Sequence, residues 1–219
     1  MITIRSRTLW LVAATILALG ACGGGSSSPS ASAASTSEAS EVPPSGAATG
    51  GKLTATIVTP MGDIVIALKP DTAPIATANF VELAEAGYYD GVAFHRLVPD
   101  FVIQGGDGKY GKVDAFDRDK VGTGGPGYTI QDEPVVGDYI RGSVSMARTP
   151  EPNSQGSQFF IALQDLAGRL DKAGGYVIFG QVVEGMDVVD AIGAMPNAGG
   201  LGNTALEPVP MESVTITRE

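Results

Sequence analysis

Between Phe94 and Asp107 the chain reads FHRLVPDFVIQGGD, placing Arg96 eight residues before Gln104 with Phe101 and Val102 between them. About fifty residues later Gly156–Ile161 reads GSQFFI and adds Gln158 and Phe160. Arginine stays protonated, and glutamine only donates and accepts hydrogen bonds. Neither can act as a nucleophile or a general base. A site made of these groups among aromatic residues binds and orients its ligand. Any reaction it accelerates must proceed without a covalent intermediate or proton transfer.

Other chemistries find little support. His95 is the only histidine and Cys22 the only cysteine, so a zinc site, which needs several nitrogen or sulfur ligands, is excluded. No GxSxG turn accompanies His95, which is assigned to packing. Gly106–Gly111 reads GDGKYG, a match to GxGxxG, but no helix pattern follows to face phosphates, and Val113 stands where a phosphate loop needs Ser or Thr. That segment is read as an exposed loop. The adjacent carboxylates Asp132 and Glu133 are read as a solvated turn.

The elements that must position Arg96 and Gln104 are mostly short strands. Leu53–Thr59 and Asp63–Leu68 flank a Pro-Met-Gly turn. Further strands are expected at Val92–Leu97, Phe101–Gln104, Tyr139–Ala147, Phe159–Leu163, Tyr176–Val183 and Val214–Thr217. A helix is expected over Thr72–Ala86, with Thr72 as cap and Pro74 in the first turn, and a second over Met186–Ala194. Many strands, two separated helices and no βαβ alternation predict a mainly β fold, a closed antiparallel barrel capped by two helices.

This domain is expected to occupy residues 52–219. Residues 1–21 read as a signal peptide: Arg5 and Arg7 precede the apolar run Leu9–Leu19, which is too short to span a bilayer. Leu19-Gly20-Ala21-Cys22 resembles a bacterial lipobox, so Cys22 is the expected lipidation site. Residues 22–51 form a Gly/Ser/Ala/Pro linker with a reach of roughly 30 Å, suited to holding a domain off a membrane surface. The formal net charge of −10 falls to −12 without Arg5 and Arg7, which disfavours a nucleic acid partner. With a single cysteine there is no internal disulfide to rely on.

In their order and spacing, FHRLVPDFVIQGGD, the GTGGPG turn at Gly122–Gly127, Ser145-Met146-Ala147, GSQFFI and VIFG at Val177–Gly180 resemble the cyclophilin family of peptidyl-prolyl cis-trans isomerases. The resemblance implies an eight-stranded antiparallel barrel closed by two helices, no cofactor, and proline-containing polypeptides as partners of a monomeric enzyme. It makes Arg96, Gln104 and Phe101 the catalytic residues. Val102, Phe160, Leu170 and Tyr176 would complete a proline pocket, while Ala147 and Arg148 line the edge along which a peptide lies, with Gln158 nearby. Three positions depart from the family pattern. Arg148 replaces an asparagine, Tyr176 a histidine, and Arg169 a tryptophan that contributes to cyclosporin binding. The expected activity is prolyl isomerisation during folding of exported proteins by a lipid-anchored, extracytoplasmic enzyme. The alternative is a peptide-binding chaperone module with little turnover.

Overall fold

The computed structural model describes residues 52–170 and 175–219. The expected signal peptide, Cys22 and the linker lie outside the described residues. β1 (Leu53–Thr59) and β2 (Gly62–Leu68) form a hairpin through Pro60 and Met61. The Thr59 hydroxyl donates to the Gly62 carbonyl (2.7 Å) and accepts the Met61 N–H (3.1 Å). Gly62 sits at φ +127°, a conformation that favours glycine. After α1 (Pro74–Glu85) come β3 (Ala93–Val98), β4 (Val102–Gly105), β5 (Ser143–Met146), β6 (Phe159–Ala162) and β7 (Ile178–Glu184). Then follow α2 (Met186–Gly193), β8 (Thr204–Pro210) and β9 (Ser213–Arg218).

Among the described residues these strands make one antiparallel sheet in the order β8-β3-β4-β6-β5-β7-β2-β1-β9. The mainly β class and the two helices agree with the sequence, but the sheet has nine strands where eight were expected. The additional strand, β8, contains Pro208 and Pro210 and lies at the edge of the ladder, where missing N–H donors are tolerated. β5 is shorter than the Tyr139–Ala147 run expected, because the chain turns at Gly142 with φ +80°.

Laid flat, nine strands would span about 38 Å, so their end strands could not share a core. Here they do. Ile57 of β1, Ile66 of β2, Phe94 of β3, Ile103 of β4, Phe159 of β6 and Val209 of β8 all belong to one buried cluster, together with Val214 of β9. The sheet therefore curls around its apolar face. Phe80 of α1 enters the same cluster, with its ring 5.6 Å from Phe159 in an edge-on contact and 5.2 Å from Phe179. Truncating such a buried ring costs about 3–5 kcal/mol.

The start of α1 differs from expectation. Its N-cap is Ala73, with no side-chain cap, and the Thr72 hydroxyl has no hydrogen-bond partner. The cap comes instead from Glu133, whose carboxylate accepts the Ile75 and Ala76 N–H groups at 2.8 Å each. An anion there satisfies two free donors and meets the positive end of the helix dipole. Asp132 in turn accepts the Asn153 N–H (3.0 Å) and the Gln155 side-chain amide (2.8 Å), so both carboxylates are structural groups and not a solvated turn. Glu133→Gln is expected to lower unfolding free energy by about 1 kcal/mol in urea titration; an unchanged midpoint would remove Glu133 from the cap.

Candidate active site

Arg96 owes its direction to a β-bulge. Leu97 and Val98 pair with Ile103 and Val102, and Arg96 pairs with Gln104, but Phe94 pairs with Gly105. One extra residue, His95, is thereby accommodated in β3. Were β3 regular through His95, strict alternation would send Arg96 to the same side as Phe94, into the main core. With the bulge, Phe94, His95 and Leu97 are all buried, while Arg96 emerges on the outer face beside Gln104.

That outer face carries a second apolar cluster, separate from the main core. It contains Val102, Phe160, Ala162, Leu166, Leu170, Ile178 and Tyr139, with Val98, Phe101, Ala147 and Tyr176 packed against it. The alternation that places Phe159 in the main core turns Phe160 outward, and Gln104 pairs directly with Phe160. The Phe160 and Tyr176 rings meet edge-on at 5.4 Å. The sequence-predicted residues Arg96, Gln104, Phe101, Val102, Phe160, Leu170 and Tyr176 therefore come together on one face. Sequence reasoning missed Tyr139, which is buried. Its hydroxyl donates to the Tyr176 carbonyl (3.0 Å) and accepts the Tyr176 N–H (2.7 Å), fixing that residue's backbone. No local pattern in GDYIRG signals this contact.

The polar side of the face is a directed chain. Arg96 Nη1 donates to Gln104 Oε1 (3.3 Å), Gln104 Nε2 donates to Gln158 Oε1 (2.9 Å), and Gln158 Nε2 donates to the Gly124 carbonyl (2.8 Å). Gln158 is pinned by its neighbours. Asn79 of α1 donates to the Gly156 carbonyl (2.8 Å) and Tyr89 to the Ser157 carbonyl (3.0 Å), while the Ala147 N–H donates to the Gln158 carbonyl (2.9 Å). Among the described residues Arg96 forms no ion pair. Its partial burial lowers its pKa, but a guanidinium remains a cation. An unneutralised cationic donor beside an apolar, aromatic cluster suits a ligand that is apolar apart from one acceptor.

The cyclophilin-type peptidyl-prolyl cis-trans isomerase family model matches residues 54–218. The chain belongs to that family. It is 45% identical to a probable peptidyl-prolyl cis-trans isomerase of Brucella suis over 136 residues, which cover 60% of this chain and 66% of that protein. It is also 36% identical over 170 residues to peptidyl-prolyl cis-trans isomerase A of Dickeya dadantii, covering 74% and 84% of the two chains. A crystal structure of a Cryptosporidium parvum cyclophilin type isomerase superposes with a TM-score of 0.64 at 29% identity, covering 77% of this chain and 98% of that one. The same protein crystallised in the presence of the dipeptide Ala-Pro gives 0.63 at 30% identity, covering 75% and 98%.

Within the cyclophilin fold, Arg148, Arg169 and His95 each have a defined setting. The Arg148 guanidinium is engaged by Asp132 (3.4 Å) and by the Glu151 carbonyl (3.2 Å). Arg169 lies over the Phe101 ring, 4.4 Å from its centre, and places an exposed cation on the pocket rim. His95, behind Arg96, is 2% exposed, and burial lowers its pKa from the usual 6.5 to about 4, with the Asp107 charge opposing the shift.

His95 is therefore neutral across the working pH range. Because its folded pKa lies below its unfolded one, its contribution is intact above pH 6.5 and declines as pH falls from 6.5 towards 4, by roughly 3 kcal/mol in full. His95→Gln should lose less stability than wild type between pH 6.5 and 4.5 in urea titration. Equal losses would mean that His95 is not held neutral.

Proposed function

We propose that the domain catalyses cis/trans exchange of Xaa-Pro bonds in polypeptides, with Arg96 as the catalytic donor. The observation that carries this reading is an unpaired, half-buried guanidinium, tied through Gln104, on the same face as the pocket of Phe101, Val102, Phe160, Leu170 and Tyr176. Proline-containing peptide as ligand is supported by the related cyclophilin studied with Ala-Pro. The proline ring occupies the aromatic pocket, and the peptide runs along the backbone of Ala147 and Arg148 near Gln158.

The barrier to rotation is ~18–20 kcal/mol because the C–N bond has partial double-bond character. In the twisted transition state conjugation is lost and the proline nitrogen recovers a lone pair. An Arg96 N–H donates to that nitrogen, an interaction far weaker in the planar ground state. Binding confined to the transition state lowers the barrier, and each 1.36 kcal/mol is tenfold in rate. Gln104 holds the guanidinium while the preceding carbonyl rotates. No proton is transferred, so turnover varies little between about pH 5.5 and 8.5.

The substrates are exported proteins in this reading, since the leader and its Leu-Gly-Ala-Cys22 sequence direct the chain to a lipid anchor outside the cytoplasm. The domain acts as a monomer without a cofactor. Met211 and Glu212 join β8, paired with β3, to β9, paired with β1. In this reading β8 and β9 count as one bent strand, which would make the sheet an eight-stranded barrel.

Arg96→Ala should reduce kcat/KM for a prolyl tetrapeptide about a hundredfold with the melting temperature little changed, as for loss of a preorganised donor elsewhere. A folded variant at the wild-type rate would exclude Arg96 from the mechanism. Cys22→Ser should abolish fatty-acid labelling and release the protein from membranes; an unlabelled wild type would contradict the anchor.

A further inference from the structure

We propose that Asp107, which is no part of the apolar pocket cluster, is a positioning residue for isomerisation that acts on Arg96 through the Gly122–Gly124 turn. Asp107 follows the FVIQGG strand and belongs to the GDGKYG segment expected to be an exposed loop, yet its side chain is 0% exposed. Its carboxylate is saturated by backbone. Oδ1 accepts the Lys109 (3.1 Å) and Tyr110 (2.9 Å) N–H groups, and Oδ2 accepts those of Gly122 (2.8 Å) and Gly124 (2.9 Å). Hydrogen bonds to a charged acceptor are about twice as strong as neutral ones. One side chain therefore ties two loops that are separated in sequence.

The second of these ties reaches the site. Gly124 donates its N–H to Asp107, and its carbonyl, in the next peptide unit, accepts Gln158 Nε2. From there the chain runs through Gln104 to Arg96. Its direction is fixed at both ends. Arg96 can only donate, so Gln104 must present its oxygen to it and its NH₂ to Gln158. The Gly124 carbonyl can only accept, so Gln158 must present its NH₂ there and its oxygen to Gln104. Each amide has one permitted orientation, and every link polarises the next. If the turn shifts, Gln158 loses its acceptor and both amides are free to flip. Gln104 would then offer an NH₂ to the guanidinium that it must orient.

Two glycines make the turn possible. Gly122 adopts φ +92°. At Gly124 an added Cβ would collide with Asp107 Oδ1 and lie 2.8 Å from the Lys109 Cβ. Gly124→Ala therefore pushes the turn off the Asp107 carboxylate while leaving every pocket side chain unchanged.

This inference rests on the catalytic role of Arg96 given above, and one set of variants separates the two. The full chain is assayed with a prolyl tetrapeptide as wild type, Gly124→Ala, Asp107→Asn, Gln158→Ala, the Gly124→Ala/Gln158→Ala double variant and Arg96→Ala. Gly124→Ala and Asp107→Asn should each lower kcat about tenfold with KM within twofold. Adding Gly124→Ala to Gln158→Ala should cost less than a further twofold, because the link is already cut. Wild-type kcat in Gly124→Ala, a loss expressed in KM, or additive losses in the double variant would overturn the proposal. Should Asp107→Asn lack a cooperative melt, Gly124→Ala and its double variant decide alone. Arg96→Ala at the wild-type rate overturns both readings, whereas a dead Arg96→Ala beside a fully active Gly124→Ala overturns only the role of Asp107.

Discussion

The β-bulge at His95 governs the rest of the site, because side chains on a strand alternate and a single inserted residue reverses the face of everything beyond it. Phe94 and Leu97 both reach the main core although they are three positions apart, and the insertion resolves that conflict. Arg96 is thereby spared burial among apolar side chains, where an unpaired cation would be prohibitively destabilising. The residue displaced inward is His95, which loses its charge on burial instead. The sheet thus exchanges a buried guanidinium for a buried neutral imidazole and obtains an outward-facing donor.

The same sheet then serves two apolar layers. Ile103, Phe159 and Ile161 face the main core with Phe80 of α1, whereas Val102, Phe160 and Ala162 on the same two strands face the pocket. The floor of the pocket is therefore held by the ladder and by the packing behind it. Its walls come from loop residues: Phe101 before β4, Leu170, and Tyr176, clamped by Tyr139. The polar groups follow the same rule. Arg96, Gln104 and Phe160 occupy paired positions on β3, β4 and β6, so their spacing is set by strand geometry.

Much of this was legible in the sequence. The residues singled out in FHRLVPDFVIQGGD and GSQFFI lie on one face, with Phe101, just before β4, packing on the same side as Val102, and Phe159 behind them in the main core. Where the sequence misled, long-range contacts had overridden local signals. Thr72 looks like a cap, but Glu133 from another loop performs that task. Thr204–Pro210 looks unlike a strand because of its prolines, yet an edge position accommodates them. Tyr139 and Asp107 sit in glycine-rich, polar surroundings and derive their roles from partners 37 and 15 residues away. The bulge itself has no local signature, since Phe-His-Arg-Leu could continue a regular strand.

The central claim is that an outward-facing guanidinium, held in one orientation, accelerates rotation about a prolyl bond. The most direct test measures cis/trans exchange of an Ala-Pro peptide by NMR at equilibrium, with substoichiometric full-length protein and with its Arg96→Lys variant. Uncatalysed exchange takes tens to hundreds of seconds. The account predicts exchange in well under a second with the wild type and loss of most of that acceleration with lysine, which keeps the charge but not the fork that reaches Gln104 and the proline nitrogen together. Equal acceleration by both proteins, or none by the wild type, would contradict it.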